Sequence, residues 1–234
     1  MNILGVILAR KGSKGIPKKN HLKLNGKNLV EIAVRSAKKS KLLTKIILST
    51  DDSKLKKDGI KSGALAPFAR PKKLSHDKAS SIDALKHSVL WLRENEKWNA
   101  DIVVLLPPTT PFKTGKLIDD VIKLLLKSKA NAAMTITDSP YPLEWTVSSD
   151  SRSYLKSVIK NGHKIKSRQQ AFKTYIPAGM VYAIKTDFLF KIKGVLPQGK
   201  TKGFYVHPSN ATNIDTYKDY LYAKINAKKL LKKN

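Results

Sequence analysis

A run of glycines and cations directly behind the first apolar segment has the residue types needed to hold phosphate groups. Residues 9–20 read ARKGSKGIPKKN and follow the apolar run ILGVIL at 3–8. Glycine lets a backbone approach a ligand closely and turn its N–H groups toward it. Arg10, Lys14 and Lys19 add positive charges that suit phosphate oxygens. The run is neither a Walker A loop nor a dinucleotide fingerprint. It predicts either another kind of phosphate-binding loop or a turn with solvated lysines.

Alternating strand and helix patterns predict the elements that would position this loop. Short apolar runs indicate buried strands at 3–8, 45–49, 101–106, 132–137 and 179–184, and helical spacing or capping residues indicate helices at 29–40, 51–62, 82–92, 117–125 and 217–225. The alternation is typical of an α/β fold, here a Rossmann-like, mostly parallel sheet flanked by helices. Ligands of such sheets bind beyond the carboxyl ends of the strands. We therefore expect the site among loops 9–28, 50–53, 107–114 and 207–216.

Residues 139–177 break this alternation. They begin with two prolines and Trp145 and continue as a stretch rich in Ser, Asp and Lys. We interpret them as a small antiparallel insert within a single domain that spans 1–234. The apolar side chains of Tyr141, Leu143 and Trp145 suit a protein interface better than solvent, so the insert is predicted to take part in dimerisation.

The composition is strongly basic. Among 234 residues, 46 are Lys or Arg and 17 are Asp or Glu, which gives a formal net charge of +29. Three readings remain open: binding of nucleic acid, binding of a small polyanion such as a nucleoside triphosphate, or a solvated basic surface. Because the chain has neither an RNA-recognition aromatic signature nor a Cys/His finger, we expect no specific nucleic-acid partner.

Other function classes are excluded by what the sequence lacks. It contains no Cys, which rules out disulfides, thiol catalysis and Cys-ligated zinc. No apolar run approaches the roughly 20 residues that a membrane-spanning helix needs. The opening MNILGVILAR has no basic segment before its apolar run, unlike a signal peptide. We therefore expect a cytoplasmic protein without a membrane partner.

Five blocks in chain order resemble the CMP-sialic acid synthetases, also called acylneuraminate cytidylyltransferases. The first, ILARKGSKGIPKKN with a following strand that ends STDD, is similar to the family pattern A-R-x-G-S-K-G-I-P-x-K-N. The others are ARPKKLSHDKASS, LLPPTTPFKT, SRQQ with YIPAGMVYAI, and NATNIDTYKDY. Together the blocks cover most of residues 1–222, and the first is the most specific.

The resemblance implies a nucleotidyltransferase that moves CMP from CTP to the anomeric hydroxyl of a nonulosonic acid, an acidic nine-carbon sugar, and releases pyrophosphate. It also implies Mg²⁺ as the cofactor, with Mn²⁺ as a substitute, and a homodimer in which the insert reaches into the partner's site. Transfer of this kind depends on alignment and neutralisation of charge more than on covalent participation by the protein.

The resemblance also assigns roles residue by residue. Catalytic roles fall on Arg10, Lys19 and Asp215, and nucleotide binding on Arg10, Gly12, Ser13, Lys14, Gly15, Asn20, Arg70, Ala79, Ser80 and Ser81. Sugar binding falls on Arg168, Gln169 and Tyr182, and metal binding on Asp215 and Asn213. Structural alternatives stand beside three of these roles. Ser80 can be a helix N-cap, Tyr182 a core aromatic, and Asp215 the N-cap of the last helix.

Several positions depart from the family pattern. Asn213 stands where most relatives carry an acid, and an amide oxygen is a weaker ligand for Mg²⁺ than a carboxylate. Pro107 replaces a Gln, Ile176 an Arg and Ala178 an Asn. These last three lie on the sugar side, so the acceptor could be a relative of legionaminate or pseudaminate.

Two alternative functions remain open at this point. One is nucleotide transfer to another acidic sugar such as 3-deoxy-manno-octulosonate (Kdo), although enzymes of that kind lack the K-G-I-P-x-K-N ending of the first block. The other is a protein that binds polyanions or nucleic acid.

Overall fold

The apolar runs of the sequence form a six-stranded central sheet. The computed structural model describes residues 1–13, 15–194 and 199–230. Its strands are β1 (Ile3–Leu8), β2 (Lys23–Leu24), β3 (Lys27–Asn28), β4 (Lys45–Ser49), β5 (Ile102–Leu105), β6 (Ala132–Asp138), β7 (Val147–Ser149), β8 (Leu155–Ser157), β9 (Tyr175–Lys185) and β10 (Thr201–Tyr205). Its helices are α1 (Leu29–Lys38), α2 (Ser53–Lys61), α3 (Ser81–Glu96), α4 (Gly115–Leu126), α5 (Thr186–Lys191) and α6 (Tyr217–Leu230).

The strand order of the central sheet is β10-β6-β9-β5-β1-β4. Five strands run in the same direction and β9 alone runs against its neighbours β5 and β6. This confirms the expected α/β fold with a mostly parallel sheet. The carboxyl ends of β1, β4, β5 and β10 meet at one edge. The loops that follow these four strands are the ones in which the sequence places the site.

Helices cover both faces of the sheet. One core cluster packs α1, α2 and α4 against it through residues such as Val34 and Ile118, and another packs α3 and α5 through Leu85 and Leu189. The amphipathic spacing of these helices accounts for that burial. A third cluster includes Ile16 and joins the N-terminal loop to α6. The long loop after β1 is therefore anchored in an apolar core.

The predicted insert, 139–177, departs from the layered core as expected. It contains the β7–β8 hairpin and one-turn helices, and both hairpin strands are exposed. Its last three residues already belong to β9, which pairs with β6 from Tyr175 onward. The sequence pattern gave only 179–184 as a strand because the preceding residues, YIPA, carry a Pro in an exposed segment.

Besides the short β2–β3 hairpin, two elements of the layered core were not predicted. Strand β10 reads TKGFY at the edge of the sheet, where partial exposure replaces the continuous apolar run of the inner strands. Helix α5 has only six residues, too few to show a helical period. Within the described part of the chain, none of the helices is long and apolar enough to cross a membrane.

Candidate active site

A cleft with a volume of about 440 Å³ opens beyond the carboxyl ends of β1 and β5. Nine of the residues predicted to bind nucleotide or take part in catalysis line it: Arg10, Ser13, Gly15, Lys19, Asn20, Arg70, Ala79, Ser80 and Ser81. We call it the main cleft. The fold thus brings together two segments of the sequence, the loop after β1 and the residues before α3, that lie about sixty positions apart.

The loop after β1 is held from several sides. Its backbone continues the ladder beside β4, with the Ala9 N–H donating to the Ser49 carbonyl at 3.1 Å. The Lys11 N–H donates to the Asp51 carboxylate at 2.7 Å. The Asn20 amide donates to the Arg10 carbonyl at 3.1 Å, which closes the loop on itself. The backbone of the loop is therefore part of the folded framework, while the side chains of Lys11 and Lys18 are exposed.

The two glycines of the loop serve different purposes. A Cβ on Gly15 would lie 2.4 Å from the Asp215 carbonyl oxygen, so glycine is required where the backbone of the C-terminal segment passes. A Cβ on Gly12 would meet nothing within 4 Å, and Gly12 is not among the residues that line the main cleft. Lys14, also predicted to bind nucleotide, lies outside the described residues.

The cations of the main cleft are already engaged with oxygen atoms. Arg10 forms an ion pair with Asp77. The Lys19 Nζ lies 2.7 Å from the Asp215 carboxylate, and its side chain is 14% exposed against 60% for that of Asp215. These pairs hold the two cations at the mouth of the cleft, where an anionic ligand would compete with the carboxylates for them.

Arg70 is the buried cation of the site. Its side chain donates to the Ser49 hydroxyl at 3.1 Å and to the Ser49 carbonyl at 2.8 Å. Burial lowers its pKa to about 10, with Arg10 adding to the decrease and Asp51 opposing it. Arg70 therefore remains charged at neutral pH, lines the main cleft and is tied to the end of β4 through Ser49.

Asp215 lies beside the loop and is not a helix cap. The Thr216 hydroxyl accepts from the Asp219 N–H at 3.3 Å, while the Asp219 carboxylate accepts from the Thr216 N–H at 2.7 Å and from the Asp215 N–H at 3.1 Å. Thr216 and Asp219 thus form the reciprocal cap of α6. The alternative that Asp215 caps this helix is wrong, and its carboxylate remains available to Lys19.

The predicted metal ligands are neighbours. The Asn213 amide donates to the Asp215 carboxylate at 2.5 Å. The described residues contain no group of three His, Cys, Asp or Glu side chains that could hold a metal ion. One carboxylate with one amide oxygen fits Mg²⁺ where a substrate supplies phosphate oxygens as further ligands. It does not fit a cage made by protein side chains alone.

Ser80 combines its two suggested roles. Its hydroxyl accepts from the Ile82 N–H at 3.1 Å, so it is the N-cap of α3 as the structural alternative required. It also lines the main cleft, as do Ala79 and Ser81. Because a hydroxyl that accepts one hydrogen bond still has a proton to donate, capping does not exclude contact with a ligand.

Lys113 is a buried cation whose place sequence reasoning missed. Its side chain is fully buried, and Nζ donates to the Pro107 carbonyl at 2.7 Å and to the Thr110 carbonyl at 2.5 Å. Burial lowers its pKa to about 7. Lys113 therefore holds together the turn after β5, of which Pro107 lines the main cleft. Thr110 in turn donates to the Gly179 carbonyl at 3.0 Å, which ties this turn to β9.

The predicted sugar-binding residues are not brought together with the nucleotide-binding ones. Tyr182 pairs in register with Leu105, which lines the main cleft, but its ring packs against the core cluster and burial raises its pKa. Its structural alternative as a core aromatic therefore holds. Arg168 and Gln169 are exposed in the insert and do not line the main cleft. The Arg168 guanidinium lies 5.9 Å from the centre of the Tyr141 ring.

The three sugar-side departures occupy different environments. Pro107 lines the main cleft, Ile176 is 41% exposed on β9, and Ala178 is 4% exposed in the core. A buried alanine at this place contributes packing and no polar contact. None of the three side chains offers a polar contact.

Comparison with known proteins agrees with this geometry. A family described as Cytidylyltransferase matches residues 4–193. The chain is 30% identical over 232 residues to the pseudaminic acid cytidylyltransferase of Campylobacter jejuni strain 81-176, covering 96% of both chains. It is 26% identical over 211 residues to the CMP-N,N'-diacetyllegionaminic acid synthase of Legionella pneumophila, covering 89% of this chain and 85% of that protein.

A solved structure has the same fold. The CMP:2-keto-3-deoxy-manno-octonic acid synthetase complexed with CTP superposes with a TM-score of 0.69 at 18% identity, covering 96% of this chain and 98% of that one. At such low identity the likeness speaks for the fold alone. The family match over residues 4–193 and the 30% identity across nearly the whole chain lead to one conclusion: this protein belongs to the cytidylyltransferase family.

Proposed function

We propose that this cytidylyltransferase transfers CMP from CTP to the anomeric hydroxyl of a nonulosonic acid and releases pyrophosphate. The observation that carries the proposal is the main cleft, where the glycine-containing loop, Arg10 and Lys19 converge at the carboxyl edge of the sheet. The names of the relatives support an acidic nine-carbon sugar of the pseudaminate, legionaminate or sialate type as the acceptor.

The proposed chemistry is an in-line displacement at the α-phosphorus. The sugar hydroxyl oxygen forms a bond to phosphorus and its proton passes to solvent, while the bond to the β-phosphate bridging oxygen breaks and pyrophosphate leaves with the electron pair. Lys19 stabilises the charge that grows on the departing phosphates, and Arg10 orients them. For this, both cations exchange their present carboxylate partners, Asp215 and Asp77, for phosphate oxygens.

Mg²⁺ is the proposed cofactor, with Mn²⁺ as a substitute. Asp215 and Asn213 would hold it together with oxygens of CTP, since Mg²⁺ is usually bound by one or two carboxylates and substrate phosphates. When bound, the ion supplies charge neutralisation and lowers the pKa of the attacking hydroxyl. The Asp215 carboxylate, which at present lies 2.7 Å from the Lys19 Nζ, would become available to the metal once Lys19 turns to the phosphate oxygens.

A homodimer is proposed to complete the sugar side. The insert exposes large apolar side chains, with Tyr141 at 68%, Leu155 at 68% and Phe172 at 81% exposure. Exposed large apolar side chains on one segment favour an interaction surface there. Arg168 and Gln169 lie on the same segment and do not line the main cleft of their own chain. In a dimer they would contribute to the partner's site. A cytoplasmic location is part of the proposal because CTP is made in the cytoplasm.

Release of pyrophosphate from the four nucleoside triphosphates against a panel of acidic sugars tests the function. We expect CTP to be preferred and a nonulosonic acid to be the best acceptor. Preference for the eight-carbon acid Kdo would contradict a nonulosonic acid as the acceptor. Equal rates with all four nucleotides would contradict the role of CTP, and unchanged turnover in excess EDTA would contradict the role of the metal.

Two substitutions test the metal ligands separately. Asp215→Ala should remove most activity, because the neighbouring Asp219 carboxylate is held in the cap of α6 and cannot replace it. Asn213→Asp should lower the Mg²⁺ concentration needed for half-maximal turnover about tenfold, equivalent to about 1.4 kcal/mol. Normal turnover in a folded Asp215→Ala protein would remove Asp215 from the metal site. An unchanged Mg²⁺ requirement in Asn213→Asp would mean that the family departure is neutral.

A further inference from the structure

A second cavity lies beside α1 and α2, and it shares no residue with the main cleft. Its volume is about 540 Å³. Five of its ten lining residues are cations and none is acidic, against 46 Lys or Arg among 234 residues in the chain. The five cations are Lys27, Arg35, Lys38, Lys39 and Lys61. We call this cavity the basic cavity.

The cations of the basic cavity outnumber the acids near them. Within the described residues, no ion pair or side-chain hydrogen bond engages any of the five. Two acids lie about one helical turn from these cations and make hydrogen bonds to neutral groups: the Glu31 carboxylate accepts from the Asn28 N–H, and the Asp58 carboxylate accepts from the Asn28 amide. Both carboxylates keep their negative charge. The carboxyl ends of α1 and α2 each contribute about half a negative charge. With all of these counted, about two positive charges remain uncompensated.

The shape and chemistry of the basic cavity favour a small ligand. Leu24 and Ile32, both buried, provide apolar lining between the cations. Arg35 offers a planar guanidinium that can bind two phosphate oxygens at once. Nucleic acid contacts proteins along an extended basic surface, whereas a concave cavity of this volume encloses one small molecule.

We propose that the basic cavity is a second anion site, which binds a small polyphosphate, inorganic or esterified to a nucleoside, apart from the main cleft. Another basic surface supplies the matched control. Lys127, Lys129, Lys200 and Lys202 line a cavity between the end of α4 and β10, but it has neither an arginine nor a leucine or isoleucine in its lining. If total charge were enough, both places would bind equally.

Calorimetric titration with inorganic tripolyphosphate at about 0.15 M salt tests the proposal. We expect two sites per wild-type chain. Arg35→Gln with Lys38→Gln should leave one site, with at least tenfold weaker binding at the other. Lys127→Gln with Lys129→Gln removes the same charge and should leave both sites within twofold. Melting temperatures of both pairs check that the fold is intact, and exposed helical positions accept Gln well.

The two sites can be distinguished within the same experiment. The proposal rests on the proposed function only for the expected number of sites, because the second tripolyphosphate site is the main cleft. Arg10→Ala with Lys19→Ala should remove binding at the main cleft. If that variant keeps both sites, the proposed function fails and the basic cavity stands. If the variant with Arg35→Gln and Lys38→Gln keeps both binding sites, the second site is overturned. It is also overturned if this variant and the variant with Lys127→Gln and Lys129→Gln lose binding equally. Tighter binding of a 20-base-pair DNA duplex than of tripolyphosphate, lost in the same Arg35 and Lys38 variant, would also overturn it.

Discussion

The main cleft and the insert lie at the same edge of the sheet, yet they are built in opposite ways. In the main cleft, Arg10 and Lys19 are paired with carboxylates and Arg70 is buried on backbone and hydroxyl oxygens. In the insert, Arg168 is exposed and touches only an aromatic ring, and Phe172 is 81% exposed. The main cleft is organised by contacts within one chain, whereas the insert leaves large apolar side chains exposed.

The largest effect should come from the cation at the mouth of the cleft. Lys19→Ala should lower kcat about 100-fold with a much smaller change in KM for CTP, because the proposed interaction strengthens as pyrophosphate leaves. Lys116→Ala is the control, since it also removes a lysine from a Lys–Asp pair but at the surface of α4. Steady-state kinetics of both variants is the measurement. An equal loss of kcat in Lys19→Ala and Lys116→Ala would contradict a special role for the lysine in the main cleft.

The contribution of the insert across a dimer can be tested by complementation. Lys19→Ala and Arg168→Ala chains carrying different tags should each be poorly active alone. A purified mixed dimer should recover about half of the wild-type activity, because one of its two sites combines an intact cleft with an intact insert. Recovery to no more than the average of the two parents would mean that Arg168 acts within its own chain. A monomer of about 26 kDa in light scattering would remove the dimer itself.

The two loop glycines provide a matched pair for the rigidity of the cleft. Gly15→Ala should destabilise the protein by about 1–3 kcal/mol and weaken CTP binding, because its Cβ would collide with the Asp215 carbonyl. Gly12→Ala should change stability by about 0.5 kcal/mol or less, since nothing lies within 4 Å. Thermal melting and CTP titration compare them. Equal melting temperatures would show that the C-terminal segment moves away without cost.

The smallest effect concerns the pH dependence of stability. Lys113 has its pKa lowered from 10.5 to about 7 by burial, so the unfolded chain binds more protons between these values. Its contribution to the free energy of unfolding should therefore rise from pH 7 to pH 10, by at most about 1.4 kcal/mol per pH unit. Below pH 7 both states are protonated and the contribution is constant. Lys113→Met should lack this rise.

The measurement is the difference in melting temperature between wild type and Lys113→Met at pH 7, 8 and 9. The difference removes the effect of the other lysines, which titrate in both proteins. A constant difference across this range would mean that the two carbonyl acceptors keep Lys113 protonated in the folded state.

The sequence predicted the part of the site that depends on local pattern. Residues 9–20 follow a buried strand, and the carboxyl ends of parallel strands share an edge, so the loops that form the main cleft could be named beforehand. Ser80 was predicted both as a helix cap and as a site residue. In the structure it caps α3 and lines the main cleft.

The partners of polar groups in the loop after β1 could not be predicted in the same way. Asp77 and Asp51 look like ordinary loop acids in the sequence, and only folding brings them to Arg10 and to the Lys11 backbone. Lys113 resembles any of the many surface lysines, because its burial depends on a turn closed by its own side chain. The direction of β9 could not be predicted either, because an apolar run indicates a buried strand but not whether it runs parallel or antiparallel to its neighbours.

The reversed direction of β9 has a consequence for how such a protein can change its acceptor. The insert leaves the sheet after Asp138 and returns at Tyr175, and these two residues are paired in register. Its two ends thus lie at the spacing of neighbouring strands, about 5 Å apart. A segment of another length or composition with ends at that spacing can be exchanged there while the opposite edge of the sheet keeps its register. We expect transplantation of 139–174 between relatives to transfer acceptor preference, because the exchange leaves the loop that binds the nucleotide untouched.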